Sequence, residues 1–211
     1  MLQKNLLNKF MLFIILAIIL VLFITAFILF LLFLRKMNEE QFMKLCKRKV
    51  SRIAKRRKLN SIEDLHLLNY SREKLAVNHV IFGKKFIYLI SDYLLKGFVS
   101  GNANDNSWVY YNNIKKKNEY LPNLNQVSGK NIKEFSEILG ISTDFVISIS
   151  LIPNECDFKI EALKEDKQFI THYSSLNRKI KQLEKREVGT LNEEQVYEQF
   201  RTIKSKNEER N

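Results

Sequence analysis

Twenty-five consecutive residues, Phe10 to Leu34, carry no charge, and Thr25 is the one polar side chain among them. No other feature limits the fold so strongly. As a helix rising ~1.5 Å per residue, the stretch would be about 37 Å long. It would cross a hydrocarbon core ~30 Å thick with some tilt. A cleaved signal peptide has a shorter apolar run, ~7–15 residues, ending in small side chains. Here the run ends in ILFLLFL, Ile28 to Leu34, with no small residue. The expectation is a retained transmembrane anchor.

Charge sets the expected orientation. The chain carries 35 Lys and Arg against 23 Asp and Glu, a formal charge of +12. That excess alone would suggest a nucleic-acid binder. Its distribution points elsewhere. Only Lys4 and Lys9 precede the apolar run, whereas Arg35 to Lys58 holds 11 basic and 2 acidic residues. From Leu59 to Asn211 there are 22 basic and 21 acidic residues. A basic flank stays in the cytoplasm. The expected location is therefore the cell membrane, single-pass, with the C-terminal part cytoplasmic. The same block could also contact anionic lipid, at ~1 kcal/mol per basic residue near the surface; topology alone accounts for it equally well. Cys46 and Cys156 are the only cysteines and form no CxxC pair, which excludes a cysteine zinc cage and fits a reducing compartment.

Four segments follow: an anchor at 1–36, a basic juxtamembrane helix at 37–58, an α/β domain at 59–173, and polar C-terminal helices at 174–211. In the second, Phe42, Leu45, Cys46, Val50 and Ile53 recur at helical spacing. In the third, Ile62 to Leu68 alternates as a half-buried strand. Leu75 to Phe82 and Phe86 to Ser91 form a hairpin through Gly83, Lys84 and Lys85. Gly97 to Ser100 and Ser107 to Tyr111 suggest a second hairpin. Asn112 to Asn123, with its three consecutive lysines, is expected to be a solvated loop. An amphipathic helix over Leu124 to Leu139 stops at Gly140. Phe145 to Ile152 and Phe169 to Tyr173 complete the strands. Helices over Ser174 to Arg186 and Asn192 to Ser205 end the chain, with Thr190 as the expected cap of the second. The pattern predicts an α/β (α+β) fold: a single mixed sheet flanked by helices, preceded by one transmembrane helix.

Generic catalytic motifs are missing: there is no Gly-rich phosphate loop, HExxH or nucleophile elbow. His66, His79 and His172 are scattered and suit structural places better than metal ligation. Trp108, Tyr110 and Tyr111 suit sheet packing better than base stacking.

The order of elements nonetheless resembles a known family. Ile62-Glu63-Asp64-Leu65-His66-Leu67, then Val77-Asn78-His79-Val80-Ile81-Phe82-Gly83, then Phe86-Ile87-Tyr88-Leu89-Ile90-Ser91 looks like the nuclease-related domain (NERD) of the PD-(D/E)XK nuclease superfamily. That family's pattern has a strand ending "(Q/E)-I-D-H-V-V-V-G", a strand ending "I-E-x-K", then "G-x-I-x-G…W". Gly97 to Gly101 and Trp108 are similar to the tail, and Pro122-Asn123-Leu124-Asn125-Gln126 resembles "N-P-x-x-Q" with its first two residues exchanged. The resemblance covers about Glu40 to Pro153 and implies an αβββαβ core.

In such nucleases two acids hold Mg²⁺, and a lysine polarises the water or the phosphate. The resemblance places the first acid on Asn78, the second on Ser91 and the lysine on Tyr93, with Gln126 at the family's glutamine. None of these supplies an ionised group, so no intact catalytic set and no metal site is expected. Asp64, Glu40, Lys84 and Lys96 are the candidate substitutes. The expectation is a membrane-anchored cytoplasmic module, catalytically inactive, needing no cofactor and serving binding or scaffolding of a protein partner. Two alternatives stay open: an active Mg²⁺-dependent nuclease with relocated residues, and a non-enzymatic subunit of a membrane assembly unrelated to nucleases. The charge of the soluble part does not favour nucleic acid as partner.

Overall fold

A computed structural model of the chain describes residues 18–27, 38–68, 74–162, 166–187 and 191–208. The chain divides into two compact units, Met1–Asn38 and Glu39–Asn211. In the first, 18–27 is helical, its side chains are exposed, and the Thr25 hydroxyl donates to the Leu22 carbonyl at 2.9 Å. Among the described residues no helix is long and apolar enough to cross a membrane. Most of the expected span from Phe10 to Leu34 lies outside the described residues.

The second unit opens with helix α1 (Glu39–Arg57) and the antiparallel strands β1 (Asn60–Glu63), β2 (His79–Phe82) and β3 (Ile87–Asp92). Phe42, Cys46, Val50, Ile53 and Ala54 form the buried stripe of α1, as the periodicity predicts. Leu45 does not join it and is 39% exposed. β1 is shorter than the alternating pattern suggests. Asp64 takes a positive φ of 59° and ends the strand, while Leu65 and Leu67 are buried beyond it.

The chain then leaves this sheet. β4 (Gly97–Asn102), β5 (Ser107–Asn112) and β6 (Lys117–Pro122) form an antiparallel meander. Gly97 starts it at φ 153°, where a Cβ would sit 2.0 Å from the Tyr111 carbonyl oxygen; only glycine fits there. Helix α2 (Leu124–Leu139) is capped by the Asn123 side chain, which accepts from the Asn125 and Gln126 amides. It ends at Gly140, φ 64°, as expected. Strand β7 (Val146–Ile152) runs parallel to β3, and β9 (Gln168–His172) runs parallel to β7. Between them β8 (Asp157–Glu161) pairs in parallel with β4. Helices α3 (Leu176–Leu183) and α4 (Glu193–Glu208) follow.

The sheets are therefore two, ordered β1-β2-β3-β7-β9 and β6-β5-β4-β8, which corrects the expected single sheet. The second sheet forms because the meander carries its own apolar face. Val99, Trp108, Tyr110 and Leu121 bury themselves with Cys156, and with Ile152 and Ile170 of the first sheet. The segment Asn112 to Asn123, expected as a loop, contains β6.

Helices cover both faces of the five-stranded sheet. Cys46 of α1 and Glu184 at the end of α3 reach Asp92 and Tyr88, which alternate on one face of β3. Ile132 and Phe135 of α2 and Ile203 of α4 pack with Val80, Phe82, Ile87 and Leu89 on the other. Asn207 of α4 accepts from the His66 amide at 2.6 Å, and Asn192 caps α4, its Oδ1 accepting from the Glu194 amide at 3.0 Å. The expected cap, Thr190, lies outside the described residues.

Candidate functional site

The start of β2 and the end of β3 lie side by side because the hairpin register sets His79 opposite Ile90. Asn78 immediately precedes β2, and Asp92 is the last residue of β3. The Asn78 amide donates to the Ile90 carbonyl at 2.9 Å, and Asn78 Oδ1 accepts from the Asp92 amide at 2.8 Å. The Tyr93 amide continues toward β7, donating to the Leu151 carbonyl at 2.9 Å.

A cleft of about 280 Å³ opens at this corner, lined by Lys74, Leu75, Ala76, Val77, Asn78, Ser91, Asp92 and Tyr93. The fold thus brings together the three positions, Asn78, Ser91 and Tyr93, that the resemblance singles out. Ser91 is buried; its hydroxyl donates to the Ala76 carbonyl, which also accepts from Asn131 Nδ2 of α2 at 3.1 Å. Burial pushes the Tyr93 phenol above its ordinary pKa; a hydrogen bond with Ser91 pulls it back in part, and the Asp92 charge adds to the rise. Tyr93 is therefore a neutral phenol at pH 7. Lys74 supplies the one cationic side chain of the lining.

Adjacent strand residues point to opposite faces, so Asp92 turns its carboxylate away from Ser91. Its side chain is fully buried on the α1 side, where Oδ2 meets His79 Nε2 at 2.8 Å. His79 Nδ1 accepts from the Asp64 amide at 3.4 Å, which places the ring proton on Nε2 and makes that nitrogen the donor to Asp92. Among the described residues Asp92 Oδ1 has no nitrogen or oxygen donor. The Cys46 thiol lies beside this carboxylate. Burial, then the Asp92 charge and a hydrogen bond to it, drive the thiol pKa far up and keep it protonated.

The candidate substitutes do not converge on the cleft. Asp64 is ion-paired with Lys47, and Glu40 with Lys44 at 2.6 Å on an exposed turn of α1. Lys84 sits in the turn at the far end of the β2–β3 hairpin, its carbonyl accepting from the Leu191 amide at 3.0 Å. Lys96 follows β3; burial lowers its pKa and Glu155 partly offsets this. Gln126 donates to the Asp105 carbonyl at 3.0 Å, at the foot of α2. None of the five lines the cleft.

Among the described residues no three His, Cys, Asp or Glu side chains converge in a way that would hold a metal ion. A hard dication needs several oxygen donors, usually with carboxylates among them. The cleft offers an amide, two hydroxyls and an ammonium, and this set does not fit Mg²⁺. It suits hydrogen bonding to a neutral or anionic group.

Sequence patterns did not flag Lys74 or the His79–Asp92 pair. The pair had a signal: in a short hairpin, residues diagonal across two strands lie within side-chain reach. No family model, curated protein or solved structure matches the chain.

Proposed function

We propose that the chain is a membrane-tethered, NERD-like module without nuclease activity, serving as a binding or scaffolding platform on the cytoplasmic side. Three features support this. With the β4–β6 meander inserted between β3 and α2, the elements of the first sheet run α1, β1–β2–β3, α2, β7, with β7 parallel to β3, an order compatible with the αβββαβ core the resemblance implies. The apolar segment before it, with basic residues concentrated after it, suits a single-pass anchor. The third feature carries the proposal: Asn78 and Ser91 share one cleft, whereas the adjacent carboxylate of Asp92 is sealed on the opposite face against His79.

Replacing two carboxylates by an amide and a hydroxyl removes two formal charges from the place where a dication would sit. Replacing the lysine by a tyrosine removes the cation that would assist the water or the phosphate. General acid–base groups contribute ~10²–10⁴ in rate, and loss of the metal costs more. What survives is a recess with polar groups in its lining.

The test is incubation of the detergent-solubilised full chain with labelled single- and double-stranded DNA and RNA in Mg²⁺ and in Mn²⁺. The expected outcome is no cleavage above that of an Asn78→Ala control. Cleavage that vanishes on Asp64→Ala or Asp92→Asn would establish a relocated active site and overturn the proposal.

A further inference from the structure

The two helical layers of the five-stranded sheet differ sharply in charge. Within α1 and α3 there are eleven Lys and Arg against two Glu. Within α2 and α4 there are five against six. The layers are similar in helical length, so the difference belongs to the surface and not to the packing.

Part of the basic charge is tied down. Lys44 and Lys47 are ion-paired, Lys49 lies 4.9 Å from the centre of the Tyr173 ring and Lys179 4.7 Å from that of Phe169. Arg57 donates to the Asn177 carbonyl and to its Oδ1 at 3.0–3.2 Å, which fastens the end of α1 to α3. The remainder points outward. Arg48, Arg52 and Lys55 follow at i, i+4 and i+7 opposite the buried stripe of α1, and Arg178 and Lys181 follow at i and i+3 opposite that of α3. All five are exposed, and none forms an ion pair with a described residue.

We propose that this α1/α3 layer is the membrane-facing surface of the unit, with Arg48, Arg52, Lys55, Arg178 and Lys181 seated on anionic headgroups. The proposal rests on the tether. Glu39 follows Leu34 by five positions, a reach of at most about 18 Å. A chain anchored through that segment must start α1 at the headgroup level, where anionic lipid attracts basic side chains. The Ser91 face, which carries the cleft, lies on the α2 side of the sheet and so turns away from the bilayer toward soluble partners. Sequence alone leaves the basic block after the anchor open between topology and lipid contact. Arg178 and Lys181 are too far along the chain to be topogenic, and the fold brings them to the same surface.

The test uses the full chain in nanodiscs of phosphatidylcholine with or without phosphatidylserine. Cys46 and Cys156 are buried, so a fluorophore can be directed to Gln182→Cys on α3 or to Glu194→Cys on α4. A headgroup-labelled nitroxide lipid serves as the quencher. Quenching at position 182 should exceed that at 194 several-fold, only with phosphatidylserine present. It should fall at least twofold in the Arg178→Glu/Lys181→Glu variant and in high salt. Equal quenching at the two positions, or quenching independent of phosphatidylserine, overturns the proposal and leaves the tether standing. So does an RNA oligonucleotide that protects position 182 from labelling while phosphatidylserine has no effect, because the layer is then a nucleic-acid surface. A chain released from membranes by alkaline carbonate overturns the tether and this proposal together.

Discussion

The two faces of the β2–β3 hairpin treat neighbouring residues in opposite ways. On the α1 side the His79 and Asp92 side chains are 1% and 0% exposed and bonded to each other, with the Cys46 thiol beside them. On the α2 side Asn78, Ser91 and Tyr93 line a recess that solvent can enter. The ionisable pair is structural and sealed; the accessible set is uncharged apart from Lys74. A pair of acid and histidine in sequence therefore says little about chemistry until the strand alternation shows which face each occupies. Here the hydrogen-bonded pair sits in the core, where removing one partner leaves the other without its bond.

The comparison can be broken by mutation. Asp92→Ala strips the His79 Nε2–H of its charged acceptor inside the core and should cost about 3 kcal/mol, the upper end for a buried donor left unsatisfied. For a unit of this size that lowers Tm by about 6–12 °C in a thermal melt of the detergent-solubilised chain. A shift no larger than that of a surface variant would show that the pair is not structural.

Alkaline pH gives the next effect and sharpens the comparison with a group in the second sheet. Burial pushes the Cys156 thiol up from 9.0 to about 11, with the Asp157 charge contributing. The folded chain then holds this proton after the unfolded chain has released it. The associated stability is complete below pH 9 and is lost as pH rises through 11, at about 1.4 kcal/mol per pH unit. Denaturant titrations from pH 8 to 11 should show a loss at least this steep, and Cys156→Ala should lower the slope by about 1.4 kcal/mol per pH unit without abolishing it. Tyr88, Tyr93 and Cys46 are shifted in the same direction, so a smaller slope remains in the variant.

Changes on the recess side should be milder. Asn78→Ala loses one hydrogen bond, to the Asp92 amide, and should cost about 1 kcal/mol. Ser91→Ala should cost less than about 1 kcal/mol, because the Ala76 carbonyl keeps its bond from Asn131. A loss at Asn78 equal to that at Asp92 would remove the distinction between the faces.

Much of the local structure was legible. The buried stripe of α1, the β2–β3 hairpin, and α2 with its Gly140 stop all follow from spacing and capping, because each is decided by residues close in sequence. β6 was not legible: in KNEYLP only Leu121 is buried, so the strand carries no apolar pattern. β8 alternates, with Phe158 and Ile160 half-buried, but its partner β4 lies more than fifty residues earlier. Nothing local reports a parallel pairing at that range, and the second sheet was missed with it. Of the positions expected to form a degraded site, Asn78, Ser91 and Tyr93 share a cleft, yet Gln126 and the substitutes do not reach it. Asp64 and Glu40 have nearby lysines to pair with, a matter of three-dimensional placement that spacing does not encode.

The most direct measurement is a Mn²⁺ titration of the full chain followed by electron paramagnetic resonance. With an amide, hydroxyls and an ammonium at the β2–β3 corner, the account predicts that free Mn²⁺ signal rises in proportion to added metal, with no stoichiometric site. Stoichiometric uptake at micromolar metal that is lost on Asn78→Ala would contradict it, because the corner would then hold a dication after all.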